Sequence, residues 1–573
     1  MTVIATAGHV DHGKSTLVLA LTGTDPDRLA EEKARGLTID LGFAAVNLPS
    51  GRPLSFIDVP GHVRFLRNML AGVGAVQGCL FVVAATEGWK PQSEEHLRIL
   101  DLLGIQHGVI ALTKVDQVDD ELLELAILDV EEHVEGTFLA GAPIVPVSAP
   151  SGQGIEALLA ALDDLQTLLG PPADTGRPRL WVDRAFAPTG TGTVVTGTLT
   201  GGSLAAGDEL IVVPGDRPVR VRSLQNHHHA VASVGPGNRV AVNLGGIAHA
   251  DLGRGDVVVT AGAWHHTGVL DASLTVLDSL DHEVSRRGAY AAYFGSGEFP
   301  AKVRVLGPNR LAPGDSGLIR LYLQTKVPLL PGDRFILRER GRDETVGGGE
   351  VLDVDPKRPA SKATPDRSID RLVAERGWVT ADELARLSGQ IVEPTVGPWV
   401  VDPALLEARK VVVLQRIQDA GALGLDIAAL DPRDRELLGL LADVSVEAGR
   451  AVLGEAEDPL ADHPWVALLE ATPLNPPGPE GFDRGEVREL IRRGIVIEQD
   501  GVYFAASALA VAARQLAEAL ADRPEGLTVA EIRDLFGTSR KYVLPLLGWF
   551  DRTGMTRRRG DFRLAGPRLP TPG

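Results

Sequence analysis

The strongest constraint on this chain lies in residues 8–15, which read GHVDHGKS and fit the pattern G-x-x-x-x-G-K-[ST]. The apolar run Val3–Ala7 precedes the pattern, and a helical periodicity over Ser15–Leu21 follows it. In that context the glycines let backbone N–H groups surround an anion, and the helix dipole adds to its binding. A chance glycine-rich turn would explain neither flanking element. The residues that we expect to contact a nucleotide here are Gly8, His9, Val10, Asp11, His12, Gly13, Lys14, Ser15 and Thr16.

The side chains of this loop have different predicted functions. Lys14 can reach the β- and γ-phosphates, and the Ser15 hydroxyl can ligate Mg²⁺. A second motif, Asp58-Val59-Pro60-Gly61, ends the apolar run Leu54–Val59. The Asp58 carboxylate can hold Mg²⁺ through water, and the Gly61 N–H can meet a γ-phosphate. D-x-P-G alone is more often a plain turn, but beside the first motif it predicts a magnesium-dependent nucleoside triphosphate site.

Two further motifs indicate the base. Thr113-Lys114-Val115-Asp116 follows one predicted strand, and Ser148-Ala149 follows another. The Asp116 carboxylate can accept two N–H bonds from the guanine edge, which adenine does not offer. Lys114 can lie over the base, and Ser148 and Ala149 can complete its pocket. These features predict that the site takes GTP and GDP.

Residues 1–172 alternate short apolar runs with amphipathic stretches. Apolar strands separated by helices predict a parallel sheet covered on both faces. We therefore predict an α/β P-loop GTP-binding domain over 1–172. The predicted strands are Val3–Ala7, Leu54–Val59, Gly78–Ala85, Gly108–Leu112 and Ile144–Val147, and the predicted helices include Ser93–Leu103, Glu121–Val134 and Ile155–Leu169.

The pattern changes after a Pro/Gly-rich linker at 170–178. Up to residue 355, short strand-like segments lie between glycine turns, which is typical of small antiparallel barrels. We predict one β-barrel over 179–262 and a second over 263–355.

Beyond a Pro-rich boundary at 356–368 the chain is rich in Leu, Ala, Arg and Glu. Several segments place a helix, a turn and a second helix before a short hairpin, which predicts winged-helix modules. We predict four of them, at 360–404, 405–455, 456–508 and 509–573.

Composition limits the partners and the location. The chain has 573 residues, with 57 Lys and Arg against 76 Asp and Glu, so its net charge of −19 excludes a uniformly basic nucleic-acid coat. The single cysteine, Cys79, excludes an intramolecular disulfide and is predicted to be a core residue. No secretory signal is visible, and the longest apolar runs are too short to span a membrane. We expect a soluble, monomeric, cytoplasmic protein.

The motifs GHVDHGKS, GLTID (Gly36–Asp40), DVPGH and TKVD resemble those of the elongation factor Tu superfamily of translational GTPases. The resemblance implies that Thr38 is a switch ligand of Mg²⁺, with Asp40 in the same switch. It also implies that His62 positions the attacking water, so that Lys14, Thr38 and His62 form the catalytic set. One departure is Thr113, because the superfamily usually has Asn there to contact the base pocket.

Three features narrow the resemblance to the bacterial selenocysteine-specific elongation factors: the switch sequence at Glu32–Phe43, VDRAFAPTGTGTVVTGT at 182–198, and GTSRKYVLPLL with DRTGMTRRRGDFR near the C-terminus. Thr113 also suits this family. The resemblance implies that the protein carries selenocysteinyl-tRNA to the ribosome at a recoded UGA codon. It also implies that the C-terminal arm binds a hairpin in the selenoprotein mRNA.

A physical basis exists for selecting selenocysteine, because a selenol ionises below neutral pH whereas serine stays neutral. A small pocket with a fixed cation can therefore discriminate by charge. We expect this aminoacyl pocket in the first barrel, with Arg184, oriented by Asp183, and Arg239 as its residues. An inter-barrel or surface ion pair is the alternative, worth about 0–1 kcal/mol.

Residues 540–563 carry seven basic side chains against Asp551 and Asp561, the reverse of the overall charge. Such a cluster within a winged-helix pattern is typical of a phosphate-binding surface, although charge runs are often only solvated. Splayed loop bases of an RNA hairpin would add specificity, whereas Tyr542 and Trp549 are expected in the core. The residues assigned to RNA binding are Arg540 and Lys541 at a helix start, Arg552, and Arg557, Arg558 and Arg559 in the wing.

Three other interpretations stay open. His227-His228-His229 could bind a metal, although it is predicted to be a barrel loop without a second ligand cluster. The chain could be an initiation-type or nucleotide-activating GTPase, which we would not expect to carry a basic helical arm. It could also be a nucleic-acid-binding regulator with a passive G domain, but the presence of Lys14, Thr38, Asp58 and His62 together argues against an inactive nucleotide site.

Overall fold

The computed structural model describes residues 2–27, 31–32, 38–62, 65–73, 76–227, 229–447, 449–454 and 460–571. The chain divides into two compact units, residues 1–402 and 403–573. Among the motif residues named above, Lys33, Ala34, Arg35, Gly36, Leu37 and His228 lie outside the described residues.

The N-terminal domain is built on a sheet with the strand order β2-β3-β1-β4-β5-β6. Helices cover both faces, as the apolar strand pattern predicts: one face packs under α3 and α4, the other under α1 and α5. Its elements are β1 (Thr2–Ala7), α1 (Lys14–Thr22), β2 (Gly42–Asn47), β3 (Pro53–Asp58), α2 (Leu66–Val73), β4 (Gly78–Ala84), α3 (Pro91–Leu102), β5 (Gly108–Thr113), α4 (Asp120–Val134), β6 (Ile144–Pro146) and α5 (Ile155–Leu169).

The five predicted strands form a parallel sheet, as expected, and a sixth strand, β2, which the apolar pattern did not predict, joins one edge. β2 pairs antiparallel with β3, from Gly42 opposite Asp58 to Asn47 opposite Pro53. The cause is local, because a tight turn joins the two strands, with Gly51 N–H donating to Leu48 O at 2.8 Å. The parallel strands β1, β3, β4 and β5 all end at one edge of the sheet, where the sequence motifs follow. Cys79 is buried in β4, as expected.

The first barrel closes through the strand order β11-β16-β7-β9-β15-β12, with β12 pairing back to β11. In β15, alternate residues are buried, the pattern of a barrel wall with one face toward the core. Its strands are β7 (Arg179–Trp181), β8 (Arg184–Phe186), β9 (Thr193–Thr200), β10 (Leu204–Ala205), β11 (Glu209–Val213), β12 (Arg217–Asn226), β13 (His229–Val231), β14 (Ser233–Val234), β15 (Asn238–Gly245) and β16 (Val257–Val259).

The second barrel is closed in the order β17-β22-β20-β19-β23-β24. Both predicted barrels are therefore confirmed as six-stranded antiparallel barrels. The strands are β17 (His266–Val276), β18 (Val284–Ser285), β19 (Tyr290–Phe294), β20 (Gly297–Leu306), β21 (Arg310–Leu311), β22 (Ser316–Pro328), β23 (Arg334–Glu339) and β24 (Glu344–Asp353).

The first predicted helical module belongs with the barrels. Leu387 joins the apolar core of the second barrel, and Arg371 pairs with Asp353 at 2.9 Å. The first compact unit accordingly extends to residue 402. The elements of this module are α6 (Ile369–Arg376), β25 (Trp378–Thr380), α7 (Ala381–Ser388) and β26 (Trp399–Val401).

The second unit contains successive groups of helices and hairpins, which confirms a winged-helix architecture for the C-terminal arm. Helix α12 begins at Ala506, three residues before the border predicted at 509, because its apolar face starts at Ala508 and Leu509. The elements are α8 (Pro403–Asp419), β27 (Leu425–Asp426), α9 (Pro432–Leu437), β28 (Val444–Glu447), β29 (Arg450–Leu453), α10 (Pro464–Ala471), α11 (Arg484–Arg492), β30 (Val496–Gln499), β31 (Val502–Ala505), α12 (Ala506–Ala521), β32 (Leu527–Thr528), α13 (Val529–Leu535), α14 (Arg540–Thr553), β33 (Thr556–Arg559) and β34 (Phe562–Ala565).

Among the helices in the described ranges, none combines the length and the apolar character that crossing a bilayer requires.

Candidate functional site

The loop between β1 and α1 holds a buried lysine. The Lys14 ammonium donates to the main-chain oxygens of Gly8 at 3.0 Å and His9 at 2.6 Å. Burial lowers the pKa of Lys14 to about 8, although the nearby Asp58 opposes this shift. The predicted phosphate loop therefore contains a cation that is held by main-chain carbonyls and poorly hydrated.

Three side chains from separate motifs meet beside this lysine. The Ser15 hydroxyl donates to Asp58 Oδ2 at 2.7 Å and lies 2.7 Å from Thr38 Oγ1. Hard oxygen atoms of this kind are the ligands that Mg²⁺ prefers. Burial raises the pKa of Asp58, against the opposing hydrogen bonds from Ser15 and Thr6, so a cation at this carboxylate would relieve a buried charge. The residues present thus fit Mg²⁺.

Close backbone approach explains two of the glycines. A Cβ on Gly61 would lie 2.5 Å from Lys14 Nζ and 2.7 Å from the main-chain nitrogen of Val10. A Cβ on Gly8, whose φ is +128°, would lie 2.1 Å from Val82 O. Side chains at these positions would fill the space in front of the loop or displace β4, so the loop keeps an open concave surface.

Residues outside the motifs support the site, and sequence reasoning missed them. Thr6 Oγ1 donates to Asp58 Oδ1 at 2.7 Å, and Asp27 Oδ1 accepts from Thr38 Oγ1 at 2.8 Å. From α3, Gln92 Oε1 accepts the Val10 N–H at 3.0 Å. These contacts join segments far apart in sequence, so no local pattern marks them.

Two buried histidines flank the loop in the neutral state. His96 Nδ1 accepts the Gly8 N–H at 3.1 Å, and burial lowers the pKa of His96 to about 3. His12 Nδ1 lies 3.3 Å from Val82 O, and burial lowers its pKa to about 4. Neither imidazole therefore adds a charge to that of Lys14 at neutral pH.

The predicted base-recognition residues lie at the ends of β5 and β6. Thr113 Oγ1 donates to the His12 carbonyl at 2.7 Å, so the residue that replaces the usual Asn ties β5 to the phosphate loop. Lys114 Nζ pairs with Glu87 at 2.9 Å. Asp116 is exposed, whereas Ser148 is buried and Ala149 follows it in a turn.

The segment after Thr38 connects the nucleotide loop to the first barrel. Asp40 Oδ1 accepts from Arg254 at 2.7 Å, and Asp40 Oδ2 lies 3.3 Å from the Arg184 guanidinium. Burial raises the pKa of Asp40, but the hydrogen bond and charge of Arg254 outweigh it and hold the pKa below its ordinary value. Upstream, Glu32 Oε1 accepts the main-chain N–H groups of Ile39 and Asp40, each at 3.0 Å. Arg254 was not anticipated from the sequence.

The predicted aminoacyl residues lie close together, with one correction. Asp183 binds Arg239, at 2.9 and 3.1 Å, rather than Arg184. Asp183 lies in a bend before β8, whereas Arg184 begins β8 and pairs with Asp40. Both guanidiniums nevertheless lie over the Phe43 ring, Arg239 at 3.3 Å and Arg184 at 4.9 Å from its centroid.

The other histidines singled out in the sequence lie after β3 and at the junction of β12 and β13. His62 is half-buried, with its ring centroid 6.0 Å from that of Phe65. His227 Nε2 lies 3.5 Å from Ser55 Oγ, and His229 begins β13. Within the described part of the chain, no group of His, Cys, Asp and Glu side chains could hold a metal ion by itself.

The basic C-terminal residues have the expected positions. Helix α14 begins at Arg540, and Arg557–Arg559 form most of β33. Tyr542 and Trp549 pack against the module core, as expected. The residues assigned to RNA binding are all exposed: Arg540, Lys541, Arg552, Arg557, Arg558 and Arg559.

Comparisons with known families follow this domain order. The model described as elongation factor Tu GTP binding domain matches residues 1–167, and elongation factor Tu domain 2 matches 192–259. The selenocysteine-specific elongation factor beta-barrel domain matches 272–358, and the winged helix of elongation factor SelB matches 518–565. The selenocysteine-specific elongation factor of Desulfomicrobium baculatum is 32% identical, over 98% of this chain and 99% of the relative.

The chain belongs to the selenocysteine-specific elongation factors. The family member of Escherichia coli K12 is also 32% identical, over 98% of each chain. A crystal structure of the bacterial selenocysteine-specific elongation factor EF-Sec superposes with a TM-score of 0.70, at 28% identity, over 99% of this chain and 100% of that one. Membership places this factor among the translational GTPases, with a GTP-binding domain of the elongation factor Tu type.

Proposed function

We propose that this factor binds GTP, Mg²⁺ and selenocysteinyl-tRNA and delivers the tRNA to the ribosome at a recoded UGA codon. An mRNA hairpin bound by its C-terminal arm determines the codon at which delivery occurs, and GTP hydrolysis ends delivery. The observation that carries the proposal is the link through Asp40: two residues from Thr38, it contacts Arg184 and Arg254 of the first barrel. Through this link a change at the nucleotide site reaches the residues assigned to the amino acid.

At the nucleotide site we assign the phosphates to Lys14, to the N–H groups of residues 8–16 and to the Gly61 N–H. Ser15, Thr38 and Asp58 would hold Mg²⁺, which neutralises triphosphate charge when bound. Asp116, with Lys114, Thr113, Ser148 and Ala149, would bind guanine. His62 would position the attacking water, and Lys14 and Thr38 complete the catalytic set.

In the first barrel we assign selenocysteine recognition to Arg184 and Arg239. Arg239 is held by the buried Asp183 carboxylate, so its position is fixed before any ligand arrives. Arg184 is held by Asp40, on the switch side. A selenolate brings a negative charge that these guanidiniums favour, whereas a serine hydroxyl brings none. We also retain the expectation of a monomer in the cytoplasm.

The test compares two forms of the same tRNA, charged with selenocysteine or with serine, in the presence of GTP. We expect the wild-type factor to prefer the selenocysteinyl form, and Arg184→Ala to reduce the ratio of the two affinities at least about tenfold, equivalent to roughly 1.4 kcal/mol. Arg222→Ala, at an exposed arginine of the same barrel, is the matched control and should leave the ratio unchanged. An unchanged ratio in Arg184→Ala would contradict this assignment.

A further inference from the structure

The last strand of the C-terminal module has an inverted pattern of burial. In β34, Phe562 leaves 43% of its surface exposed, whereas the neighbouring Arg563 is buried. Successive strand residues point to opposite faces, so this strand turns an aromatic ring to solvent and a guanidinium to the core. Within the described residues, Phe186 is the other phenylalanine with comparable exposure.

Polar contacts beneath the wing fix this orientation. Arg563 Nε lies 2.8 Å from Asp551 Oδ2 of α14. Asp551 Oδ1 accepts a hydrogen bond from Thr556 Oγ1 of β33 at 2.6 Å. One carboxylate therefore holds both strands of the wing. A slip of one residue would bury Phe562, but it would break the pairing of Arg563, so the exposure of Phe562 is built into the register.

On the β33 side, the side chains that share the face of Phe562 are basic, and on the other side Thr528 of β32 lies opposite the ring. Phe562 lies directly opposite Arg559 on β33, and Arg557 lies two residues further along the same strand. Residues paired across a sheet, and those two apart on a strand, share one face. Arg557 and Arg559 are exposed, and their guanidinium groups make no ion pair or hydrogen bond with other described residues. The ring is thus flanked on its β33 side by guanidiniums that are open to an anion.

We infer that Phe562 is a stacking platform for one unpaired base of the RNA hairpin, with Arg557 and Arg559 binding the adjacent phosphates. Every base offers a π-face to an aromatic ring, and unpaired loop bases are the ones that can be splayed out onto it. The flanking positive charge selects a polyanion rather than an apolar protein surface. This inference rests on the proposed function, which brings an mRNA hairpin to the C-terminal arm.

The experiment uses the full chain and a pool of RNA stem-loops with randomised loops, from which the tightest-binding hairpin is selected. Phe562→Leu keeps an apolar side chain without a ring, and Phe562→Tyr keeps the ring. We expect Phe562→Leu to weaken binding about five- to 150-fold while the slope of log affinity against log salt stays unchanged. Phe562→Tyr should remain within about twofold of the wild-type affinity.

A double-mutant cycle then asks whether one base carries the effect. Each loop nucleotide is replaced in turn by an abasic residue and measured with the wild-type chain and with Phe562→Leu. At one position the two losses should not add, because both changes remove the same stack. Equal affinities of the wild-type and Phe562→Leu chains, additive losses at every position, or an altered salt slope in Phe562→Leu would overturn the inference. If the wild-type chain enriched no hairpin at all, the hairpin binding of the proposed function would fail instead.

Discussion

Two regions of this molecule are suited to binding phosphate, and they are built in opposite ways. At the N-terminal site, Lys14 is buried and held by main-chain carbonyls at 3.0 and 2.6 Å. At the C-terminal module the cations are several and exposed, and the guanidinium groups of Arg557 and Arg559 have no polar partner among the described residues. One region relies on a single charge in a fixed geometry, the other on many charges at the surface.

The difference predicts different physical behaviour. A charge in poorly hydrated surroundings interacts strongly, is little screened by salt and has a shifted pKa. Exposed arginines interact weakly one at a time, are screened by salt and do not titrate near neutral pH. Nucleotide binding should therefore respond to pH and to single substitutions, and RNA binding by the proposed C-terminal surface should respond to ionic strength.

The largest expected effect comes from Lys14→Met. Two unit charges about 4 Å apart, at an effective dielectric constant near 20, interact by about 4 kcal/mol, which corresponds to about a thousandfold in affinity. We therefore expect the Kd for GTP to rise by about that factor, as measured by equilibrium binding of a fluorescent GTP analogue. Hairpin affinity should stay unchanged in the same variant.

The matched control for this experiment is Lys362→Met, which removes a lysine from an exposed loop. It should leave GTP affinity at the wild-type value. A loss in Lys14→Met no larger than in the control would mean that the buried ammonium does not bind phosphate.

Sequence alone accounted for the parts of the nucleotide site that are local. The phosphate loop follows β1, and Asp58 and Thr113 end β3 and β5, so a motif beside an apolar run predicted where they lie. Asp27, Gln92 and His96 escaped prediction because they reach the loop through the tertiary fold.

The sequence did not predict which ion pairs form or which charged side chains are buried. Asp183 is expected to orient Arg184 as its chain neighbour, but Asp183 binds Arg239 and Arg184 pairs with Asp40. Arg563 was counted with the basic surface, yet Asp551 draws it into the core and turns Phe562 outward. Neither a count of charged residues nor the alternation of apolar and polar residues along a strand shows which carboxylate will form an ion pair with a given arginine.

The next largest expected effect is that of pH on GTP affinity. Burial lowers the pKa of Lys14 to about 8, and a bound triphosphate would favour the charged amine and raise that pKa. GTP affinity should therefore be full below about pH 8 and fall above it, by about tenfold between pH 7 and pH 9. The same titration in Lys14→Met should be flat over this range. Wild-type affinity that did not change up to pH 9 would contradict a depressed lysine pKa in the free protein.

The smallest effects per residue belong to the C-terminal surface, where salt is the informative variable. Each phosphate contact contributes a slope of about −0.7 to −0.9 to log affinity against log salt. Arg557→Ala should therefore weaken hairpin binding only a few-fold and reduce the magnitude of the slope by about 1. Arg514→Ala, at an exposed arginine on α12, should change neither quantity if binding is confined to the wing and the start of α14. An equal loss of slope in both variants would instead indicate a diffuse field over the whole module, and the contrast with the single buried charge at Lys14 would then be one of number rather than of placement.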